Sequence, residues 1–516
     1  MSRNARFFDI ISAMRKMSFI AVAALAAANV SAGQSPVCAA PCGAPPPEEI
    51  RAMMLKLGSN THAEPLYPSE KPKNQWDYEH TVADELRLDE DVWREVTDAM
   101  AAKGYNMVVI GLAEGVVYPS HPELAVKGTW SVEKLKAELK RLRAMGLEPI
   151  PKMNFAASHD TWLGEYHRMV STKKYYEVCA DLIRDVVEMF DHPRFLHLGY
   201  DEEMPIAQAK SAYMVVRQGE LWWHDFEFFR REVEKHGVRA WIWSDYFWHH
   251  PKEFLERMPK SVLQSNWYYR TDFGEKICDR AQMEKKIMSA PWPEYVAGPS
   301  TYVEFEKAGY DQLPCGSVWA NDGCMAATVR FCRKRIAKGR LKGFLMAPWL
   351  ATLRSNREQL LFAVETGARA FAAEPQPSET VWVENGVCRM PIVASKDKKT
   401  QQAAKYLADC VEEMTGVRPE IKGEWAGRAI RIETTAKPAD ESFRIVTKYG
   451  SVFMTGAAYH AAYDFAERVL GVRQRQPTKD GGRSVVKTDR VAIPPQNSYA
   501  KSASTGRTTR QSTSQH

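Results

Sequence analysis

Residues 131–153 read SVEKLKAELKRLRAMGLEPIPKM, a helix and then a strand with one glycine at the junction. Ser131 stands where an N-cap belongs, with Glu133 in the first turn. Leu135, Leu139 and Leu142 recur at helical spacing, and Gly146 stops the helix, so it spans 131–145. The apolar run at 148–153 has the length of a buried strand. An amphipathic helix that feeds a short apolar strand is one half of a βαβ unit. The same rhythm continues in both directions. A helix at 175–190, with Val178, Leu182, Val186 and Met189 on one face, leads to a strand at 195–199. Another at 226–236 ends at Gly237, directly before a strand at 240–243. Strands at 52–57, 106–110, 262–265, 317–319 and 343–347 bring the number to eight. Eight strands with crossovers in about 320 residues fit a parallel barrel. The spacing predicts an α/β fold, a (β/α)8 TIM barrel over residues 50–373.

Pro375, Pro377 and Ser378 mark a boundary. Beyond it a small α/β domain is expected over 374–493. Its elements are a strand at 391–393, a helix at 400–414, a strand at 429–432, a hairpin at 443–453 turning at Tyr449-Gly450, and a helix at 459–470. Residues 494–516 are rich in Ser, Thr, Gln and Arg and are expected to be disordered. At the other end, Arg3, Arg6, Arg15 and Lys16 precede a short Ala-rich apolar run at 18–30 and a small-residue cleavage site ending at Ala32. That pattern predicts a signal peptide over 1–33 and a secreted or periplasmic protein. A Pro/Ala-rich linker follows at 34–49. No later segment is apolar enough to span a bilayer, so no stable membrane insertion is expected after signal cleavage.

The net charge of +6 is spread over a long chain without a dense Lys/Arg block, which argues against nucleic acid as a partner. The nine cysteines include no C-x-x-C pair and no His at ligand spacing. Neither a metal site nor a cofactor is expected. A metal centre built from His197, Asp201 and Asp245 would need alternate strand residues to converge, which strand geometry disfavours.

Barrel enzymes carry their sites on the loops after each strand. The fourth strand runs into Phe195-Leu-His-Leu-Gly-Tyr-Asp-Glu-Glu203. Adjacent carboxylates repel, which holds one of them protonated and able to act as a general acid. The alternative is that all three acids complement the dipole of the next helix. Asn154 and His159-Asp160 follow the third strand. Trp243 and Asp245 lie at the fifth, Trp267 and Tyr268 at the sixth, Trp319 and Asp322 at the seventh, and Trp349 at the eighth. Tryptophans at consecutive strand ends are hard to assign to a barrel interior built of Val, Ile and Leu. Aromatic planes stack on sugar rings, and carboxylates bind their hydroxyls. The expected partner is a carbohydrate.

The segment His197-Leu-Gly-Tyr-Asp-Glu202 resembles the H-x-G-G-D-E motif of the family 20 glycoside hydrolases, the β-N-acetylhexosaminidase group, with Tyr200 in place of the second glycine. Pro151 to His159 is similar to that family's third-strand segment, and Trp243, Trp267 and Trp349 to its tryptophans. The resemblance implies a retaining exo-glycosidase with Glu202 as general acid/base. It implies that Asp201 orients a substrate 2-acetamido group, which serves as the nucleophile. His159 would support the pair. The family's Arg after strand one has no counterpart in Gly58-Ser-Asn-Thr-His62, its strand-seven Tyr has none near Trp319, and Tyr200 would narrow the pocket. The small domain is similar to the family's accessory domain, which normally precedes the barrel. Two other readings stay open: a two-carboxylate glycosidase using Asp245 or Asp322, and a non-catalytic carbohydrate-binding barrel.

Overall fold

The structure, a computed structural model, describes residues 49–61, 78–79, 81–208, 215–273, 281, 294–434, 442–474, 483–501 and 509–511. The signal and nearly all of the linker lie outside them, as do Cys38, Cys42 and Cys278.

Eight short strands form one parallel sheet: β1 (Ile50–Lys56), β2 (Met107–Gly111), β3 (Glu148–Lys152), β4 (Phe195–His197), β5 (Arg239–Trp243), β6 (Leu263–Ser265), β7 (Cys315–Gly316) and β8 (Gly343–Met346). Their order is β6-β5-β4-β3-β2-β1-β8-β7. Parallel bridges Gln264↔Gln312 and Trp267↔Cys315 join the two ends and close the barrel. Helices α1 (Glu90–Ala102), α2 (Val132–Ala144), α3 (Lys173–Met189), α4 (Glu220–Lys235), α5 (Pro251–Arg257), α6 (Glu294–Ala308), α7 (Cys324–Arg335) and α8 (Arg357–Phe371) follow the strands in turn. Among the described residues no helix is long and apolar enough to cross a membrane.

Local chemistry explains the boundaries. Ser131 caps α2 by accepting from the Lys134 N–H, and Asp89 and Thr172 cap α1 and α3 in the same way. Strand residues alternate between two apolar layers. Met53, Leu55 and Leu57 face the helices, whereas Ile50, Ala52 and Met54 fill the barrel with Met107, Val109, Ile150, Trp241 and Trp243. Strand seven is shifted from its predicted place at 317–319. Ser317 Oγ donates to the Ala347 carbonyl at 2.7 Å and accepts from the Trp319 N–H at 2.9 Å, so the chain is already turning there.

Past α8 the chain forms β9 (Thr380–Glu384), β10 (Val387–Cys388), β11 (Ile392–Ala394), α9 (Lys398–Thr415), β12 (Ile421–Lys422), β13 (Ile430–Glu433), β14 (Phe443–Lys448), β15 (Ser451–Gly456) and α10 (Ala458–Arg468). After these come β16 (Arg473–Gln474), β17 (Arg483–Ser484), β18 (Arg490–Ile493), β19 (Asn497–Lys501) and β20 (Thr509–Gln511). The main sheet runs β12-β11-β13-β15-β14-β19-β20. Ile430, Ile432, Ile445, Val452 and Met454 share a core with Leu407, Val411 and Phe465 of the two helices.

The expectation of disorder over 494–516 is corrected for residues 494–501; residues 502–508 and 512–516 lie outside the described residues. Asn497 to Ala500 pair antiparallel with β14. Arg468 donates to Gln496 Oε1 at 2.8 Å and to Ser498 Oγ at 3.0 Å. A composition argument counts apolar side chains, but a strand paired on both sides, with β14 and with β20, is held chiefly by backbone N–H and C=O groups.

Candidate active site

The β4 end reverses direction sharply. Gly199, Tyr200 and Glu202 have φ of 79°, 70° and 56°. For Tyr and Glu this left-handed backbone costs roughly 1–3 kcal/mol each, and such strain clusters at functional loops. The zigzag separates the three acids. Asp201 and Glu202 face a cavity of about 970 Å³ at the barrel mouth, whereas Glu203 turns into the core. There Arg217 pairs with it, and its Oε1 accepts from the Ala157 N–H at 2.7 Å. Tyr200, expected to narrow the pocket, is fully buried against Trp222, Phe226 and Phe229. Its positive φ swings the ring into the helical layer.

Asp201 is almost buried, with 13% of its side chain exposed, while Glu202 is half open at 49%. Asn154 Nδ2 donates to Asp201 Oδ1 at 3.1 Å. His159 stands between the acids, with Nδ1 3.7 Å from Asp201 Oδ2 and Nε2 3.5 Å from Glu202 Oε2. Asp245 Oδ2 accepts from the Glu202 N–H at 2.8 Å and fixes the strained turn. Burial, reinforced by the charge of Asp201, pushes the Asp245 carboxyl well above its ordinary value. Its other oxygen is buried without a hydrogen-bond partner.

Gly199 is needed twice, for its φ and for space: a Cβ there would stand 2.1 Å from Asn154 Oδ1. Gly199→Ala is therefore expected to displace Asn154 from Asp201. It should cost about 1–3 kcal/mol of stability and cut turnover further than that loss explains. Urea titration and kinetics on the same preparation measure the two effects.

The wall opposite is aromatic. Trp267 stacks on Tyr269 with centroids 5.1 Å apart, and Tyr269 meets Trp319 at 6.1 Å. Trp349 Nε1 donates to Tyr269 Oη at 2.9 Å, and Trp349 itself has φ of 59°. Tyr268 borders the cavity as well, its hydroxyl donating to Asp272 Oδ1 at 2.7 Å. Of the residues singled out from sequence, Asn154, His159, Asp201, Glu202, Asp245, Trp267, Tyr268, Trp319 and Trp349 border one cavity. Trp243 and Asp322 do not. Trp243 is buried inside the barrel between His197 (4.6 Å) and Trp349 (5.5 Å). His197 Nδ1 accepts from the Gly199 N–H at 3.0 Å, and burial holds its pKa well below the ordinary value.

Asp322 instead joins the barrel to the second domain. Its Oδ2 accepts from the Gly450 N–H at 3.1 Å, beside Tyr449, which donates to the Pro348 carbonyl at 2.9 Å. Burial pushes Asp322 up to about 8 from 3.8. The folded chain thus binds a proton there that the unfolded chain has released, and stability falls as pH rises from about 4 to about 8. Asp322→Asn keeps an acceptor for Gly450 and removes the titration. Its Tm should decline less than that of the unmodified chain between pH 5 and pH 8.

Sequence reasoning missed three kinds of lining residue. Lys56 and Lys152 project inward from the ends of β1 and β3. Burial, then the charge of Lys152, lowers Lys56 to about 7, against the pull of Glu79, Glu114 and Asp201. Burial lowers Lys152 too, opposed by Asp201. The available signal was a lysine on the inward phase Ile50-Ala52-Met54-Lys56 of an otherwise apolar strand. His249, on the turn after β5, and Arg270, after β6, also border the space, beside Trp248 and Tyr269. Finally, Glu433, Arg444, Val446, Lys448, Phe453, Thr455 and Asn497 reach it from the second domain.

The sequence matches no protein-family model and no curated protein. Among solved structures the chain is similar to a chitobiase of Flavobacterium johnsoniae, a family 20 glycoside hydrolase, at 16% identity and TM-score 0.42, covering 64% of this chain and 49% of that one. It is similar to a family 20 exo-β-N-acetylglucosaminidase of Vibrio harveyi at 13% identity and TM-score 0.40, covering 64% and 54%. A β-N-acetylhexosaminidase of Bacteroides fragilis aligns at 12% identity and TM-score 0.43, covering 64% and 67%. The chain spans about half the length of the first two.

Proposed function

We propose that the cavity hydrolyses glycosides, as a retaining exo-acting β-N-acetylhexosaminidase-like enzyme. The reading is carried by the adjacent acids Asp201 and Glu202, which differ in exposure, are bridged by His159, and face an aromatic wall. Glu202, the more open acid, protonates the glycosidic oxygen as the C–O bond breaks. Asp201, held by Asn154, accepts a hydrogen bond from the N–H of a 2-acetamido group, whose carbonyl oxygen bonds to the anomeric carbon as the leaving oxygen departs and so closes a cyclic intermediate. Tyr269 Oη accepts from Trp349 and has Cys315 Sγ at 3.9 Å; its hydrogen would turn from that weak partner to the carbonyl oxygen. Water, deprotonated by Glu202, then opens the cyclic intermediate with net retention. Trp267, Trp319 and Trp349 stack on the sugar and exclude water.

The test is a panel of aryl glycosides with and without the 2-acetamido group. Hydrolysis should be confined to the acetamido sugars. Asp201→Asn should lower kcat on them by about 10²-fold, the scale of one misplaced orienting group. Equal turnover of 2-hydroxy sugars would remove substrate assistance.

One observation supports a second reading. Burial, reinforced by the charge of Asp201, shifts the Asp245 carboxyl toward the protonated form that a general acid needs. In a two-carboxylate enzyme it would pair with Glu202, and an acetamido-thiazoline inhibitor would then have no effect on the rate.

A further inference from the structure

Sheet geometry places the second domain over the barrel mouth in a definite way. Along β14, Arg444, Val446 and Lys448 share one face, and the register Arg444↔Thr455 and Val446↔Phe453 puts the matching β15 residues beside them. Glu433 and Asn497 join that face through Glu433↔Thr455 and Val446↔Asn497. The opposite face packs on α9 and α10. A two-layer α/β domain normally leaves such a polar face to solvent, but here it borders the cavity that holds Asp201 and Glu202.

Its charges are arranged unusually. Other arginines of the domain are matched: Arg389 with Glu384, Arg418 with Asp409 and Glu412, Arg468 with Asp464, Arg483 with Glu413, and Arg490 with Glu379 and Glu384, whereas Arg428 donates to the Gly450 carbonyl at 3.0 Å. Arg431, next to Phe453, donates to the carbonyls of Trp425 and Gly427. Among the described residues no carboxylate lies within ion-pair distance of Arg444 or Lys448. Lys448 Nζ rests 4.5 Å over the Phe453 ring, and burial lowers its pKa; Arg444 and Arg431 add to this, and Glu433 opposes it. Two cations on one face of a strand, with Val446 between them and both bordering the cavity, one of them partly desolvated, are stabilised by an anion bound at that face.

Resting on the glycosidase reading, we infer that Arg444 and Lys448 form a subsite for an anionic substituent, a carboxylate or a sulfate, on the saccharide beyond the bond cleaved at Glu202. The second domain then sets substrate choice, and the barrel supplies the reaction. Phe453 and Val446 would pack on the sugar ring that carries the charge.

The test is isothermal calorimetry on Glu202→Gln with four tetrasaccharides of equal length: one containing hexosamine and uronic acid, its carboxyl-reduced form, a sulfated neutral one and its desulfated parent. The acidic members should bind about tenfold or more tighter than their neutral partners, one charge-assisted contact or better. Added salt should shrink the gap. Adding Arg444→Gln and Lys448→Gln should bring each pair within about twofold, the scale of an exposed charge contact. Arg444→Gln alone, at an exposed position, should show part of the effect and guards against misfolding of the double change. Whichever acidic member shows the larger gap identifies the anion. Equal binding within each pair, or a preference that survives the double substitution, overturns the subsite and leaves the glycosidase reading intact. Absence of binding by all four overturns both.

Discussion

Glu202→Gln lowers kcat by about 10²–10⁴-fold, the range that positioned acid–base groups supply, and the deficit depends on the leaving group. A nitrophenolate departs with little help from a proton, so its glycoside should lose less than an alkyl glycoside, whose oxygen must be protonated in the transition state. Glutamine preserves the size of the side chain and the Nε2-facing oxygen opposite His159. The backbone N–H to Asp245, which holds the turn, is untouched. The fold and KM should therefore change little, and the loss should sit in kcat. Rates on a series of leaving groups measure it. A loss that is uniform across the series would place Glu202 in positioning instead of proton transfer.

Arg217→Met has the largest expected effect on stability. The guanidinium is fully buried, pairs with Glu203 and Asp225, and donates to the Phe155 carbonyl at 2.7 Å. It also lies 4.8 Å over the Tyr200 ring. Without it two carboxylates are left buried and uncompensated, at a cost of about 3–5 kcal/mol. In a domain this large the Tm should fall on the order of 10 °C. Glu203→Gln together with Asp225→Asn, added to Arg217→Met, should recover much of that loss, since neutral polar groups need no counter-charge. The consequence reaches the chemistry. Glu203 ties the β3 loop to the β4 loop through Ala157, and those loops carry His159, Asp201 and Glu202. Calorimetric scanning of the single and triple variants, with kcat on the folded fraction, separates the two effects.

Glu203 and Asp322 illustrate why a list of acids near strand ends is not yet a site. In sequence they are as good candidates as Asp201 and Asp245. Glu203 is captured by Arg217, 14 residues away, and Asp322 by the Gly450 N–H, 128 residues away. No local pattern signals either partner. Trp243 has the same history: its position at the end of β5 suggested a sugar platform, but the inward phase of that strand makes it barrel packing.

The eightfold alternation of helix and strand, the cap at Ser131, the boundary before β9 and the acidic doublet at 201–202 could all be read from the chain. Each depends on residues a few positions apart, where hydrophobic period and turn chemistry act directly. Tertiary structure alone decided which acids meet, where Lys56 and Lys152 point, and that the polar face of β14 and β15 borders the cavity of Asp201 and Glu202. Those outcomes depend on barrel closure and on the seating of one domain against another. Their contacts join residues 43 positions apart, as at Glu202 and Asp245, or 128 apart, as at Asp322 and Gly450, and burial, not local propensity, sets their charges.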